Sequence, residues 1–206
     1  MNRIVTAFFV LLAIGLSGCI TVFPKTKPVQ LYRFDGRQAV IAAANPAGDR
    51  VGVVRAGGSF NAAAAGDRIL TVTGSQVAYL AQSRWAGPAD TLFNEALLGA
   101  FNAGPGPARL VIRGEPARAD YTLRLDVQRF EAVYDQGPRA APDVRIEIHM
   151  VLIRASDRAL VKDETLAIQA RATDNRVSAI VAAFDKAVGE ALAAIVANTN
   201  ASLTAR

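Results

Sequence analysis

Between residues 121 and 152 apolar and polar side chains take turns, and that alternation constrains the fold more than any other feature of the chain. Tyr121, Leu123, Leu125 and Val127 alternate with Thr122, Arg124, Asp126 and Gln128. A period of two describes a strand with one face buried and the other wet. Val144, Ile146, Ile148, Met150 and Leu152 repeat the pattern against Arg145, Glu147 and His149. Ser156-Asp157-Arg158 is a turn signal, and residues 160–170 return as the hairpin partner. The period then changes. Val177, Ile180, Val181, Phe184, Val188, Leu192, Ile195 and Val196 line one stripe of a long helix, while Ser178, Asp185, Lys186 and Glu190 fall elsewhere. Antiparallel hairpins with one apolar face need a helical layer to cover it. The expected class is therefore α+β, a two-layer sandwich with a mainly antiparallel sheet and two principal helices on one face.

The first half supplies the other helix. Gly87-Pro88-Ala89-Asp90 starts it, with proline tolerated in the first turn and aspartate favourable near the N-terminus. Phe93, Ala96, Leu97, Ala100 and Phe101 make its apolar face, and Gly104-Pro105-Gly106-Pro107 ends it. Before it, residues 29–34, 38–44, 51–54, 68–73 and 77–81 read as short strands, with turns at Asn45-Pro46-Ala47-Gly48-Asp49 and Gly74-Ser75. The stretch holding Gly57-Gly58 and the alanines 62–65 carries no periodicity. Both halves run strands then helix, yet no residue motif repeats, so residues 29–206 are taken as a single domain.

The N-terminus is of another kind. Met1-Asn2-Arg3 precedes an apolar run over 4–14, followed by Leu16-Ser17-Gly18-Cys19. A basic start, about a dozen apolar residues and small residues before a cut describe a secretory signal. The last four residues resemble the lipobox, Leu-[Ala/Ser/Thr]-[Gly/Ala]-Cys, of bacterial lipoproteins. That resemblance implies cleavage of residues 1–18, diacylglycerol on the Cys19 thiol and an acyl chain such as palmitate on the new amino group. Each buried CH₂ contributes roughly 0.8 kcal/mol, so several chains anchor stably. The run is too short for the ~20 residues of a spanning helix. A buried structural Cys19 is the other reading. Residues 19–28 form a lipidated tether with two prolines and two lysines, reaching a few tens of Å at ~3.1–3.6 Å per residue.

Composition narrows the chemistry. Cys19 is the sole cysteine, so no disulfide forms within the chain and no Cys–His catalysis is available. The net charge of +5 suits a surface near anionic headgroups or a plain solubility margin. Envelope location and the lack of a dense Lys/Arg run exclude nucleic acid. His149 is the only histidine, on the polar side of its strand, where it reads as a solvated residue without metal partners. A general base needs an oriented partner and a nucleophile in reach, and none is nominated. Neither a Gly-x-Ser-x-Gly elbow nor a phosphate-cradling loop occurs, and Gly57-Gly58-Ser59 lacks the helix and lysine of one. Asp163-Glu164 fits a solvated hairpin face. The expectation is a chain that is no enzyme and binds no cofactor or metal. Arg84 and Trp85 are the candidate partner contacts, since these residue types dominate interface hot spots. The alternative is that Trp85 packs beneath the helix it introduces.

Several segments together resemble a known family. They are the lipobox, the short tether, Leu31-Tyr32-Arg33-Phe34, Val77-Ala78-Tyr79 leading to Arg84-Trp85-Ala86, Leu123-Arg124-Leu125-Asp126-Val127-Gln128-Arg129-Phe130-Glu131, and Ala182-Ala183-Phe184-Asp185-Lys186-Ala187. In order and spacing the chain is similar to the ABC-type transport auxiliary lipoproteins, the family that includes the lipoprotein of the paraquat-inducible intermembrane transport system. The resemblance implies a non-catalytic docking role beside a mammalian-cell-entry substrate-binding protein, a permease and an ATPase that move lipids between membranes. Those parts are separate proteins, since this chain has no nucleotide-binding motif. Ile20 follows Cys19 where inner-membrane retention uses Asp, so the expected site is the outer membrane, facing the periplasm. A homo-oligomeric ring is the expected assembly where a conduit meets a membrane. The rival is a lipoprotein that activates peptidoglycan synthesis or assists outer-membrane assembly. A lipid-binding chaperone, third, would need an apolar cavity.

Overall fold

Strand β6 (Tyr121–Val133) organises the molecule, because all its neighbours are arranged along its thirteen residues. The computed structural model describes residues 28–36, 50–104, 106–112 and 114–204. The signal sequence, Cys19, the tether up to residue 27 and the strand expected over 38–44 lie outside the described residues. One edge of β6 pairs antiparallel with β7 (Asp143–Arg154), which pairs antiparallel with β8 (Leu160–Arg171). The other edge is shared. Its first half takes β2 (Val51–Arg55) in parallel, with Val53 opposite Tyr121. Its last half takes β3 (Arg68–Thr73) in parallel, with Thr71 opposite Ala132. Beyond β2 lies β5 (Ala108–Val111), again parallel. Beyond β3 come antiparallel β4 (Gln76–Trp85) and then parallel β1 (Gln30–Tyr32). The sheet thus has eight strands, with the β6–β7–β8 and β3–β4 hairpins antiparallel and β1, β2, β3 and β5 joined through parallel pairings on one side.

Helices α1 (Ala89–Ala103) and α2 (Val177–Thr204) cover one face. The expected α+β sandwich is what forms. Alternation along β6 sends Leu123, Leu125 and Val127 inward, each at most 1% exposed. It stops at a bulge between Val127 and Arg129, where one extra residue leaves both Gln128 and Arg129 exposed before Phe130 turns back into the core. The inner layer of α1 is the expected one: Phe93, Ala96, Leu97, Ala100 and Phe101 are all buried. Pro88 supplies no side-chain cap. The N–H groups of Ala89 and Asp90 donate instead to the carbonyls of Gly66 and Ala65, at 3.0 and 3.3 Å. The loop over 57–67 is thereby fixed to the start of α1. At the other end Arg50 Nη2 donates to the carbonyls of Phe101 and Ala108, at 2.8 and 2.7 Å, closing the helix end onto β5.

Helix α2 is 28 residues long, about 42 Å at 1.5 Å per residue, as long as the sheet. It runs past the expected stripe to bury Thr199 and Leu203. Small residues Ala183, Ala187, Gly189 and Ala191 are buried with the large ones, letting the chain before residue 37 pass close over the helix. Asp185 Oδ1 accepts the N–H groups of Asp35 and Gly36 at 2.9 and 3.0 Å.

Candidate functional site

The inner end of β4 holds the residues singled out from the sequence. Pairing of β4 with β1 and β3 sends Ser83 and Trp85 inward and Arg84 outward. Trp85 is 2% exposed. Its ring meets Phe34 edge-on at 5.0 Å and Phe184 at 5.3 Å, and Phe130 lies between them, 5.4 Å from Phe34 and 5.1 Å from Phe184. Such edge-on and tilted pairs add about 0.5–1.5 kcal/mol each beyond area burial. Trp85 therefore joins the segment after β1, β4, β6 and α2 into one node and offers no surface. Only Arg84 of the pair does. Its side chain is 46% exposed and its Nη1 donates to Asp67 Oδ2 at 2.8 Å, an exposed pair worth about 0–1 kcal/mol.

The open face of the sheet carries a polar row not nominated from the sequence. Asp126 on β6 lies directly opposite His149 on β7, and Asp163 on β8 is one diagonal further. His149 Nε2 is 2.7 Å from Asp163 Oδ1, and its Nδ1 is 3.9 Å from Asp126 Oδ2. The histidine is thus on the polar face as expected, but flanked by two carboxylates. Ser59 Oγ donates to Asp126 Oδ1 at 2.8 Å, and Arg124 Nε to Oδ2 at 2.8 Å. The hydrogen bond from Arg124 holds the Asp126 carboxyl below the usual range, assisted by the one from Ser59. In this order the carboxylate stands between hydroxyl and imidazole. Hydroxyl activation needs the imidazole in the middle, so the row ties a loop to the sheet rather than preparing a nucleophile. Asp163 and Glu164 part company. Asp163 faces outward to His149, while Glu164 points to the helix side and pairs with Lys162 at 3.0 Å.

A cleft of about 570 Å³ lies between α1 and the segment after β1, lined by Arg33, Phe34, Asp35, Leu92, Glu95 and Gly99 among others. Charged groups are interspersed with apolar ones in its wall. Trp85, Phe130 and Phe184 pack together between the sheet and α2. No group of three or more metal-ligating side chains occurs among the described residues, nor does a helix long and apolar enough to cross a membrane.

Comparison with known proteins gives a family and a fold. The family model of the ABC-type transport auxiliary lipoprotein component matches residues 59–196. Among solved structures, a Xanthomonas campestris protein of the DUF330 family is similar with a TM-score of 0.66 and 23% identity, over 84% of this chain and 96% of that one. An uncharacterized protein matches with a TM-score of 0.60 and 16% identity, over 84% and 99%. A hypothetical protein of Chlamydia trachomatis follows at 0.53 and 9%, over 76% and 99%. Identities this low show the fold alone. No curated protein matches the sequence.

Proposed function

The chain belongs to the ABC-type transport auxiliary lipoprotein family, and on that basis we propose that it is a non-catalytic docking component of an intermembrane lipid transport system. The match over 59–196 carries the reading. It spans β3 to β8, α1 and most of α2, so it rests on the folded domain itself and not on the N-terminal signal. A lipoprotein of this family is anchored in the cell envelope. Residues 1–18 act as the cleaved signal, 19–28 as the tether with acyl chains on Cys19, and 29–206 as the periplasmic domain. Ile20 after Cys19 favours the outer membrane.

Its partners are a mammalian-cell-entry substrate-binding protein and the permease and ATPase that work with it. The domain suits docking because its core is knitted through Trp85, Phe130 and Phe184, which leaves loops to make contacts on a rigid base. The loop over 57–67 is the contact candidate, since Arg84 lies directly opposite Leu31 on the sheet edge beside the tether, and a homo-oligomeric ring matches the symmetry of a conduit. The test is purification of the acylated protein from native membranes and identification of what accompanies it. A mammalian-cell-entry protein or its permease is expected. Peptidoglycan synthases without either would overturn the reading in favour of the rival role.

A further inference from the structure

We infer that the β3–β4 hairpin and the adjoining β1 rest against the bilayer that holds the anchor, with Leu31 and Val77 in its headgroup layer; this rests on acylation at Cys19. β1 runs parallel to β4, with Gln30 opposite Ser83 and Tyr32 opposite Trp85. The chain therefore arrives from the side of Gln76, where the Gly74-Ser75 turn joins β3 to β4. Continuing that register, Pro28 stands level with Ala81, about 17 Å along the strand from Gln76. Nine steps from Cys19 to Pro28 span at most roughly 30–32 Å. The anchor reaches past the hairpin turn with about a dozen Å to spare. The β7–β8 turn at 155–159 lies at the opposite end of β6, which measures about 40 Å.

Surface chemistry agrees with that direction. Five large hydrophobic side chains are exposed among the described residues, and three of them are Val29, Leu31 and Val77, at 47%, 66% and 60%. Val77 belongs to β4, Leu31 to β1 and Val29 to the chain entering β1, beside the tether. Leu31 pairs with Arg84, and Val77 with Val72. Residues 68–85 contain Arg68 and Arg84 and no acidic residue, and the same holds for 28–34 with Arg33. Asp67, just before β3, neutralises Arg84, so the patch is near neutral, and its apolar side chains, held within reach of an anchor, partition into the interface. Other occupants, a protein partner above all, would leave these positions dry of lipid.

Cys19 is the sole cysteine, so a single introduced thiol can be labelled in the acylated protein. Full-length acylated protein carrying Val77→Cys, Leu31→Cys or, as a distant apolar control, Leu160→Cys is labelled with an environment-sensitive dye. It is then bound to phosphatidylethanolamine/phosphatidylglycerol vesicles. Labels at 77 and 31 should shift to the blue and be quenched several-fold more by headgroup-level nitroxide lipids than the label at 160. If Val77→Cys lowers the melting temperature, Leu31→Cys alone carries the comparison with Leu160→Cys. Protein that floats with its vesicles while 77 and 31 stay as wet as 160 overturns the docking alone. Protein that does not float overturns the anchor and the docking with it.

Discussion

Removing the Phe184 ring tests the packing most severely. Phe184 is fully buried, with Trp85 at 5.3 Å on one side and Phe130 at 5.1 Å on the other. Truncation to alanine loses the transfer free energy of the ring and leaves a void, together about 3–5 kcal/mol. The two lost aromatic contacts place the expected cost in the upper half of that range, about 4–5 kcal/mol. Natural domains hold about 5–15 kcal/mol in all, so the variant stays folded with a thin margin. Its melting temperature falls by roughly 8–20 °C, at about 2–4 °C per kcal/mol for a domain of this size. Trp85 is the only tryptophan, and urea unfolding of residues 29–206 followed by its fluorescence gives the free energy directly. Phe184→Leu keeps much of the volume and should cost under about 1.5 kcal/mol. Leu31→Ala, at a surface position, should stay within about 0.5 kcal/mol of the parent. A Phe184→Ala loss below about 1 kcal/mol would refute the node that joins α2 to β4 and β6.

Gly58→Ala should cost at least about 2 kcal/mol, because φ is +90° and a Cβ would lie 2.1 Å from the Leu125 carbonyl oxygen. Gly57→Ala, at φ +70° in open space, should cost only about 1 kcal/mol, and the two melting curves compared side by side decide it. The depressed Asp126 carboxyl contributes stability that is present above the ordinary carboxylate pKa of about 3.9 and is lost as pH falls through the lower folded value. Arg124→Ala removes the main cause, so the acid-unfolding midpoint should move up in pH, read by Trp85 fluorescence; an unchanged midpoint would show that the pair is idle. Cys19→Ala should accumulate unprocessed precursor without acyl chains, and mass spectrometry of the native protein should find an acylated Cys19 at the N-terminus; another mature N-terminus contradicts this.

Elements with a strict period were legible and those held only by neighbours were not. β6, β7 and β8 announce themselves because every second side chain meets the helices, and the faces of α1 and α2 follow from 3–4 residue spacing. β5 has four residues after a Gly-Pro run, and its burial comes from parallel pairing with β2, which leaves no pattern in so short a segment. β4 runs beyond the expected 77–81 because Gln82, at φ +55°, breaks the alternation before Ser83 and Trp85 resume it. Trp85 itself had two readings, anchor or core, and the inward phase it shares with Ser83 puts it in the core. The polar row was half legible. Alternation placed Asp126 and His149 on the wet face, but which groups meet across strands depends on a register that the bulge at Gln128 sets. The division of one β6 edge between β2 and β3 is a tertiary fact with no local trace.

Docking of this domain to lipid-transport machinery can be read by crosslinking in intact cells. A photo-reactive residue at Ala62, exposed in the loop over 57–67, and another at Arg158, in the β7–β8 turn, sample two separate surfaces of the domain. At least one position should capture a mammalian-cell-entry protein or its permease, identified by mass spectrometry of the crosslinked band. Capture of peptidoglycan synthases or outer-membrane assembly factors at both positions, with no transport component, would contradict it.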